Sequence, residues 1–167
     1  DDVLVAHYAA SAVAEISKES DLKLQQLERA FKTDPSAQNL NEYCDFLGEY
    51  LCSGLAEGRV AQIQRQQYAL LLARRCERED TLVLRIRYAT ALADVGQIDE
   101  AQAVTDQLVL DVPEEQEVWM LCLRLAVMHR DGDEVHRVID AIDKQHVYLS
   151  AANREELAFW RNGEEAR

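Results

Sequence analysis

The stretch Gly96–Glu115, GQIDEAQAVTDQLVLDVPEE, sets a glycine, an alanine and a proline at offsets that suit a turn, a closely packed helix and a helix stop. Gly96 can take the left-handed backbone that closes a preceding helix, and Ala101 lets a neighbouring helix come close. Pro113 cannot continue the α-helical hydrogen-bond ladder. A helix from Ile98 to Leu110 therefore follows one turn and ends at the next. A second glycine-free apolar segment after Pro113 suggests that the unit recurs.

Working outward, apolar residues return at spacings of three and four in successive segments separated by short polar breaks, the pattern of amphipathic helices packed in pairs. About nine helices are expected on this pattern: Val3–Ser17, Asp21–Thr33, Ala37–Cys52, Arg59–Glu77, Asp80–Val95, Ile98–Leu110, Glu114–His129, Glu134–Lys144 and Ala151–Arg161. Asp21 and Ser150 stand where N-caps are needed, and Pro35 stops the second helix. Six glycines and two prolines in 167 residues leave little to interrupt helices, and 48% apolar content is enough for a core. The expected class is all-α. The breaks are too short for a linker, so one domain over residues 1–167 is expected.

The helix-then-proline ending LVLDVP has a counterpart in LERAFKTDPS, Leu27–Ser36, where Ala30 precedes Pro35 as Leu108 precedes Pro113. A period of about 34 residues fits the helix pairs on either side of Pro113. On these residues the chain resembles tetratricopeptide-repeat proteins. Repeats fall at about residues 4–37, 38–81, 82–115 and 116–149, with a cap over 150–162. The third repeat matches through Gly96, Ile98, Ala101 and Pro113, the fourth through Trp119 and Ala126, and the first through Ala10, Ser11, Ala14, Ala30 and Pro35. The second is atypical: about ten residues too long, without the proline, and matched only at Leu40, Tyr43, Cys44 and Leu47. The resemblance implies a right-handed superhelix of antiparallel helix pairs and marks a scaffold.

The matched residues also have a physical reading. Small side chains at Ala10, Ala14, Ala30 and Ala101 suit close approach within a pair, while Trp119, Leu123 and Ile139 suit the wider gaps between pairs. The last segment, NREELAFWRNGEEAR, has the polar face of a terminal cap, with Phe159 and Trp160 covering the last pair or, for Trp160, meeting a partner.

A net charge of −13 argues against general nucleic-acid binding, which relies on Lys and Arg against phosphates. No run of about 18 apolar residues and no signal peptide is found, so the chain reads as a soluble segment. It opens at Asp1 without methionine, which suggests a processed product or a piece of something longer, so anything before Asp1, including any membrane anchor, would lie outside this sequence. Cys44, Cys52, Cys76 and Cys122 form no CxxC pair and lie in apolar helical patterns, which predicts buried, reduced thiols and a cytoplasmic setting.

No phosphate-binding glycine loop, HExxH, GxSxG or paired Cys and His nucleophile arrangement occurs, and no catalytic residue, metal ligand or cofactor is assigned. His129 and His136 flank RDGDE, where Asp131, Asp133 and Glu134 offer oxygens. The expected role of that segment is a helix corner, with Gly132 in the tight backbone position and Asp133 as the next cap.

Charge is segregated along the chain. Residues 59–87 hold seven arginines against three acidic residues, whereas residues 88–123 hold eight acidic residues and no lysine or arginine. Two solvated faces that partly neutralise each other, or a bipolar surface that orients a partner, both follow from such a division.

In tetratricopeptide repeats the first helix of each pair lines the inner side. The resemblance places Val83, Ile86, Arg87, Thr90 and Asp94 there in the third repeat, and Met120, Arg124, Val127 and Met128 in the fourth. This set resembles no carboxylate clamp. An apolar groove with two arginines suits an amphipathic helix or a segment of a larger partner. The expected partner surface is Val83, Ile86, Arg87, Thr90, Met120, Arg124 and Met128, with burial of the two methionines between repeats as the alternative.

The atypical stretch Glu49–Tyr68, EYLCSGLAEGRVAQIQRQQY, resembles the cytosolic repeat domain of PelE proteins, inner-membrane components of the bacterial Pel exopolysaccharide machinery. That resemblance implies upstream membrane-spanning helices and a place in a synthase complex with a PelD-like cyclic-di-GMP receptor and a PelF-like glycosyltransferase. The overall expectation is a non-catalytic scaffold. A regulatory repeat module of a larger enzyme, or an envelope protein that handles peptides or lipoproteins, stands as the alternative.

Overall fold

The computed structural model describes the backbone of residues 2–163 and the side chains of residues 15–161. Its described residues form eight α-helices and no strand: α1 (Asp2–Thr33), α2 (Ala37–Cys52), α3 (Gly58–Cys76), α4 (Leu82–Asp94), α5 (Ile98–Asp111), α6 (Gln116–His129), α7 (Gly132–Gln145) and α8 (Ala151–Gly163). None of the described helices is long and apolar enough to cross a membrane. The chain divides into two compact units, Asp1–Arg75 and Cys76–Arg167.

In the first unit, the helix pair expected over residues 4–37 is one continuous helix of 32 residues. The segment Ser17–Asp21 contains no glycine or proline, and its Lys and Glu are good helix formers, so nothing breaks the ladder. Asp21 is consequently not an N-cap. It lies inside α1 and accepts a hydrogen bond from the Tyr50 hydroxyl of α2. The side chains of Ala10, Ser11 and Ala14 lie outside the described residues. Ala30 is exposed and mediates no close approach, whereas Phe31 beside it is buried, with its ring centroid 6.1 Å from that of Tyr43. Pro35 does end α1, and the Ser36 side chain accepts from Asn39 N–H to start α2.

Leu40, Tyr43, Cys44 and Leu47 form the buried face of α2, as their spacing predicts. Against it lies α3: a Cβ placed on Gly48 would stand 2.8 Å from the Tyr68 hydroxyl oxygen. Arg75, 9% exposed, donates to Asp45 at 2.6 Å. The two helices are joined by Ser53–Glu57, with Gly54 and Gly58 at φ +72° and +57°. Those two left-handed residues accommodate the extra length that sets this segment apart from the neighbouring hairpins.

The second unit follows the repeat pattern closely. Each helix contacts the next from α4 to α8, and α4 also contacts α6. Ala89, Ala93 and Ala101 are buried with Leu92, Leu121 and Leu125, so small residues do bring α4, α5 and α6 together. Trp119, Leu123 and Ile139 share a second cluster with Ala126, Val135, Ile142 and Leu157. The Trp119 indole N–H donates to the Pro113 carbonyl at 2.6 Å, so this proline also orients the aromatic that opens the next hairpin.

Gly96 adopts φ +80°; its N–H donates to Ala93 O at 3.0 Å, and that of Gln97 donates to Leu92 O at 2.9 Å. This is a Schellman closure. Arg130 repeats it after α6, one period of about 34 residues later, with Asp131 N–H reaching Ala126 O at 3.2 Å. The left-handed residue of RDGDE is thus Arg130 at φ +55°, and Gly132 opens α7. Asp131 is the N-cap, accepting from Glu134 N–H at 3.0 Å, and Asp133 lies inside the first turn. The cap shifts because the Schellman bond of Asp131 already ends α6, which puts its carboxylate over the start of α7. His136 places Nδ1 2.9 Å from Gly132 O.

Ser150 caps α8 as expected, accepting from Asn153 N–H at 3.2 Å. Trp160 packs half-buried on the second cluster, but Phe159 remains 65% exposed and meets Trp160 edge-on. Among the cysteines, Cys44 and Cys122 are buried, Cys76 is half-buried, and Cys52, at the end of α2, is exposed.

Candidate functional site

Thr81 and Glu115 set the starts of the two helices that carry the expected partner surface. The Thr81 hydroxyl accepts from Leu84 N–H at 3.3 Å, and the Glu115 carboxylate accepts from Glu117 N–H at 3.4 Å. Helix α4 buries Leu84, Ala89, Ala91, Leu92 and Ala93, leaving Val83, Arg87 and Asp94 exposed and Ile86 and Thr90 half-buried. Helix α6 is more enclosed. It buries Val118, Trp119, Leu121, Cys122, Leu123, Leu125 and Ala126 on its contacts with α4, α5 and α7. Its remaining stripe carries Arg124 and Met128 exposed and Met120 and Val127 half-buried.

Asp94 and Arg124 tie the two helices together through a hydrogen-bonded ion pair, with both side chains part-exposed. Both residues are expected on the inner face from the repeat resemblance, and the structure shows that they also pair. A usable signal was present: the pair is separated by 30 positions, as is Asp45–Arg75 in the first unit, which is one repeat less one helical turn. The Thr90 hydroxyl donates to Ile86 O at 2.9 Å, a local helix bond that occupies its proton. Met120 and Val127 pack on the α6–α7–α8 core cluster, so Met120 contributes to core as well as to surface. Val83 and Met128 are 59% and 41% exposed.

The arginine-rich stretch is only partly available as a surface. Arg75 is buried against Asp45, and Arg74 lies 5.8 Å from the centroid of the Phe31 ring. Arg85 donates to Asp111 at 2.6 Å and lies 3.9 Å from Asp80, linking the basic stretch to the acidic one that follows. Asp111 is held below the usual carboxylate range, first by the hydrogen bond from Arg85 and then by that from Gln107. Neutralisation within a helix pair therefore absorbs part of the charge segregation.

Of the two histidines flanking the α6–α7 corner, His129 approaches Asp99 at 4.0 Å and His136 turns back on its own helix. Among the described residues no group of three or more His, Cys, Asp or Glu side chains is placed to hold a metal ion. No protein-family model, curated protein or solved structure matches the chain.

Proposed function

We propose that this chain is a non-catalytic interaction scaffold of the tetratricopeptide type, which holds a protein partner on the exposed stripe of α4 and α6. The observation that carries this reading is the composition of the stripe. Val83 and Met128 stand in water beside half-buried Ile86, Met120 and Val127, on helices whose opposite sides are fully packed. Such a surface gains from being covered, at roughly 25 cal/mol per Å² of apolar area removed from water. The buried packing of Ala89, Leu92, Leu121 and Leu125 sets the spacing of the two helices before a partner arrives, so little ordering is needed on binding. An amphipathic helix, with apolar anchors on one face and acidic residues toward Arg87, has the matching chemistry.

Within that reading, the resemblance of Glu49–Tyr68 to the PelE repeat domain supplies the partners to test first. They are a PelD-like receptor and a PelF-like glycosyltransferase, met on the cytoplasmic side of an inner membrane to which this chain is joined by a segment outside it. Tagged protein co-expressed with each candidate should retain it on affinity purification. The Met120→Glu/Arg124→Glu variant should lose it by at least about tenfold. Because Met120 also packs on the core, Val83→Glu/Met128→Glu, both at exposed positions, repeats the test without touching the core. Retention unchanged in both variants, with melting temperature preserved, would assign the partner to another surface.

A further inference from the structure

The first unit contains a cleft of about 590 Å³ between α1, the Ser53–Glu57 connection and the first turns of α3. One side is apolar: Leu24 and Leu55 line it, and Val60 and Ile63 of α3 stand 59% and 57% exposed. Leu70, 62% exposed, continues the same helical stripe beyond the cleft, since positions 60, 63, 67 and 70 share one face. The polar lining consists of the carboxylates of Asp21, Glu28 and Glu57, the hydroxyls of Tyr43 and Tyr50, and glutamine amides, with no lysine or arginine among the described lining residues.

Three carboxylates line this cleft with no cationic side chain among the described lining residues to balance them. The Tyr50 hydroxyl donates to Asp21 and is also hydrogen-bonded by Gln64. That arrangement leaves Gln64 Oε1, a buried acceptor, with no donor. Glu28 shares its charge with Lys32, one turn along α1, through a 2.7 Å contact. Burial is the main cause that pushes both tyrosines up to about 12, with Glu28 adding to the shift at Tyr43 and the hydrogen bond to Asp21 adding to it at Tyr50.

A ligand complementary to this lining brings hydrogen-bond donors, a positive charge and an apolar stem. We infer that the cleft binds a basic, apolar-flanked peptide segment of a partner protein, with a lysine or arginine head directed to Asp21 and Glu57 and its stem along Val60 and Ile63. A free small amine would satisfy the carboxylates but would leave the stripe through Ile63 to Leu70 uncovered. The chain's net charge of −13 favours approach of a basic segment from solution. The two left-handed glycines, Gly54 and Gly58, position Leu55 and Glu57 at this wall, which gives the overlong second hairpin a use that helix packing does not require.

The inference is independent of the α4–α6 stripe and is tested separately. The probes are two fluorescein-labelled twelve-residue peptides, one alternating Leu with Arg and one alternating Leu with Gln, read by anisotropy at 0.15 M salt. The arginine peptide is expected to bind at least tenfold more tightly than the glutamine peptide. Asp21→Asn/Glu57→Gln should weaken it tenfold or more, while Asp140→Asn/Glu155→Gln, which removes the same charge from exposed positions of the other unit, changes it less than twofold. Ile63→Ser, at an exposed position that leaves the Tyr50–Asp21 bond untouched, should also weaken binding severalfold with unchanged melting temperature. Val83→Glu/Met128→Glu should leave it unaltered. Equal losses in the two acid-neutralised variants would reduce the effect to bulk charge and overturn the inference, as would equal affinity for the two peptides or unchanged affinity in the cleft variants.

Discussion

Asp94, the last residue of α4, and Arg124, midway along α6, form a hydrogen-bonded ion pair that links the two helices of the candidate surface. The side chains of Arg124 and Asp94 keep 46% and 38% of their exposure, so water screens the pair and competes for both partners. Its contribution to stability should be small, about 0.2–1 kcal/mol in a double-mutant cycle of Arg124→Ala and Asp94→Ala followed by urea denaturation. Asp45–Arg75 has the same spacing but a different environment, with the Arg75 side chain only 10% exposed. Arg75→Ala should cost more, about 1.5–3 kcal/mol, because it removes a charge-assisted bond and buried packing at once. A coupling at Asp94–Arg124 equal to or above the Arg75→Ala cost would show that exposure does not set this order.

Gly48 and Tyr68 give a second expectation. A methyl group at position 48 would meet the Tyr68 hydroxyl oxygen at 2.8 Å and its ring carbons at 3.0 and 3.1 Å, closer than carbon atoms settle without movement. Alanine would otherwise help α2 by about 1 kcal/mol through helix propensity. Overpacking costs about 1–3 kcal/mol, so Gly48→Ala should be net destabilising. The loss should shrink in a Tyr68→Phe background, where the nearest atom is gone. Urea midpoints for the four proteins of that cycle measure it; an equally large loss in the Tyr68→Phe background would place the strain elsewhere.

Much of the fold was legible because the periodic signals agree with one another in the second unit. Gly96, Ala101, Pro113 and Trp119 each have a separate local cause, and each takes the expected place. The structure departs from the sequence pattern where several residues could supply the same function. Between Ser17 and Asp21 an aspartate resembled a cap, but no helix-breaking residue forced a break. At RDGDE a glycine resembled the left-handed residue, yet Arg130 takes it because the Schellman bonds are set by the end of α6. The candidate surface was legible as a face, since helical spacing decides which residues share one. The pairing of Asp94 with Arg124 and the grouping of Asp21, Glu28 and Glu57 around one cleft depend on how separate helices meet, which periodicity within one helix does not encode.

Asp111 provides a pH-dependent test. Its carboxyl is held below the ordinary value chiefly by the hydrogen bond from Arg85, so the folded state binds this proton less readily than the unfolded chain, where aspartate titrates near about 3.9. The resulting stabilisation is fully present above that unfolded value and is lost as pH falls through the lower folded one. Arg85→Gln should move the Asp111 midpoint upward toward the ordinary aspartate value, as followed by carboxyl NMR titration. It should also reduce the slope of stability against pH below about 4, the range in which folded and unfolded protonation differ. An unmoved midpoint would show that Arg85 does not control this carboxylate.

Thiol reactivity should separate the cysteines by environment. Burial, with smaller contributions from Asp106 and Glu134, pushes the Cys122 thiol up to about 12, whereas Cys52 stands exposed at the end of α2. At neutral pH the thiolate fraction of Cys122 is then on the order of a thousandfold below that of an ordinary cysteine near 8.5, in addition to the steric barrier of its surroundings. Native-state labelling with iodoacetamide, read by peptide mass spectrometry, should modify Cys52 first and half-buried Cys76 more slowly. Cys44 and Cys122 should react only as urea unfolds their units, so their labelling midpoints follow the loss of helical circular dichroism. Because Cys44 lies in the first unit and Cys122 in the second, the two midpoints also report whether the units unfold together. Rapid modification of Cys122 in the absence of urea would contradict its burial beneath Trp119, Val138 and their neighbours in the second core cluster.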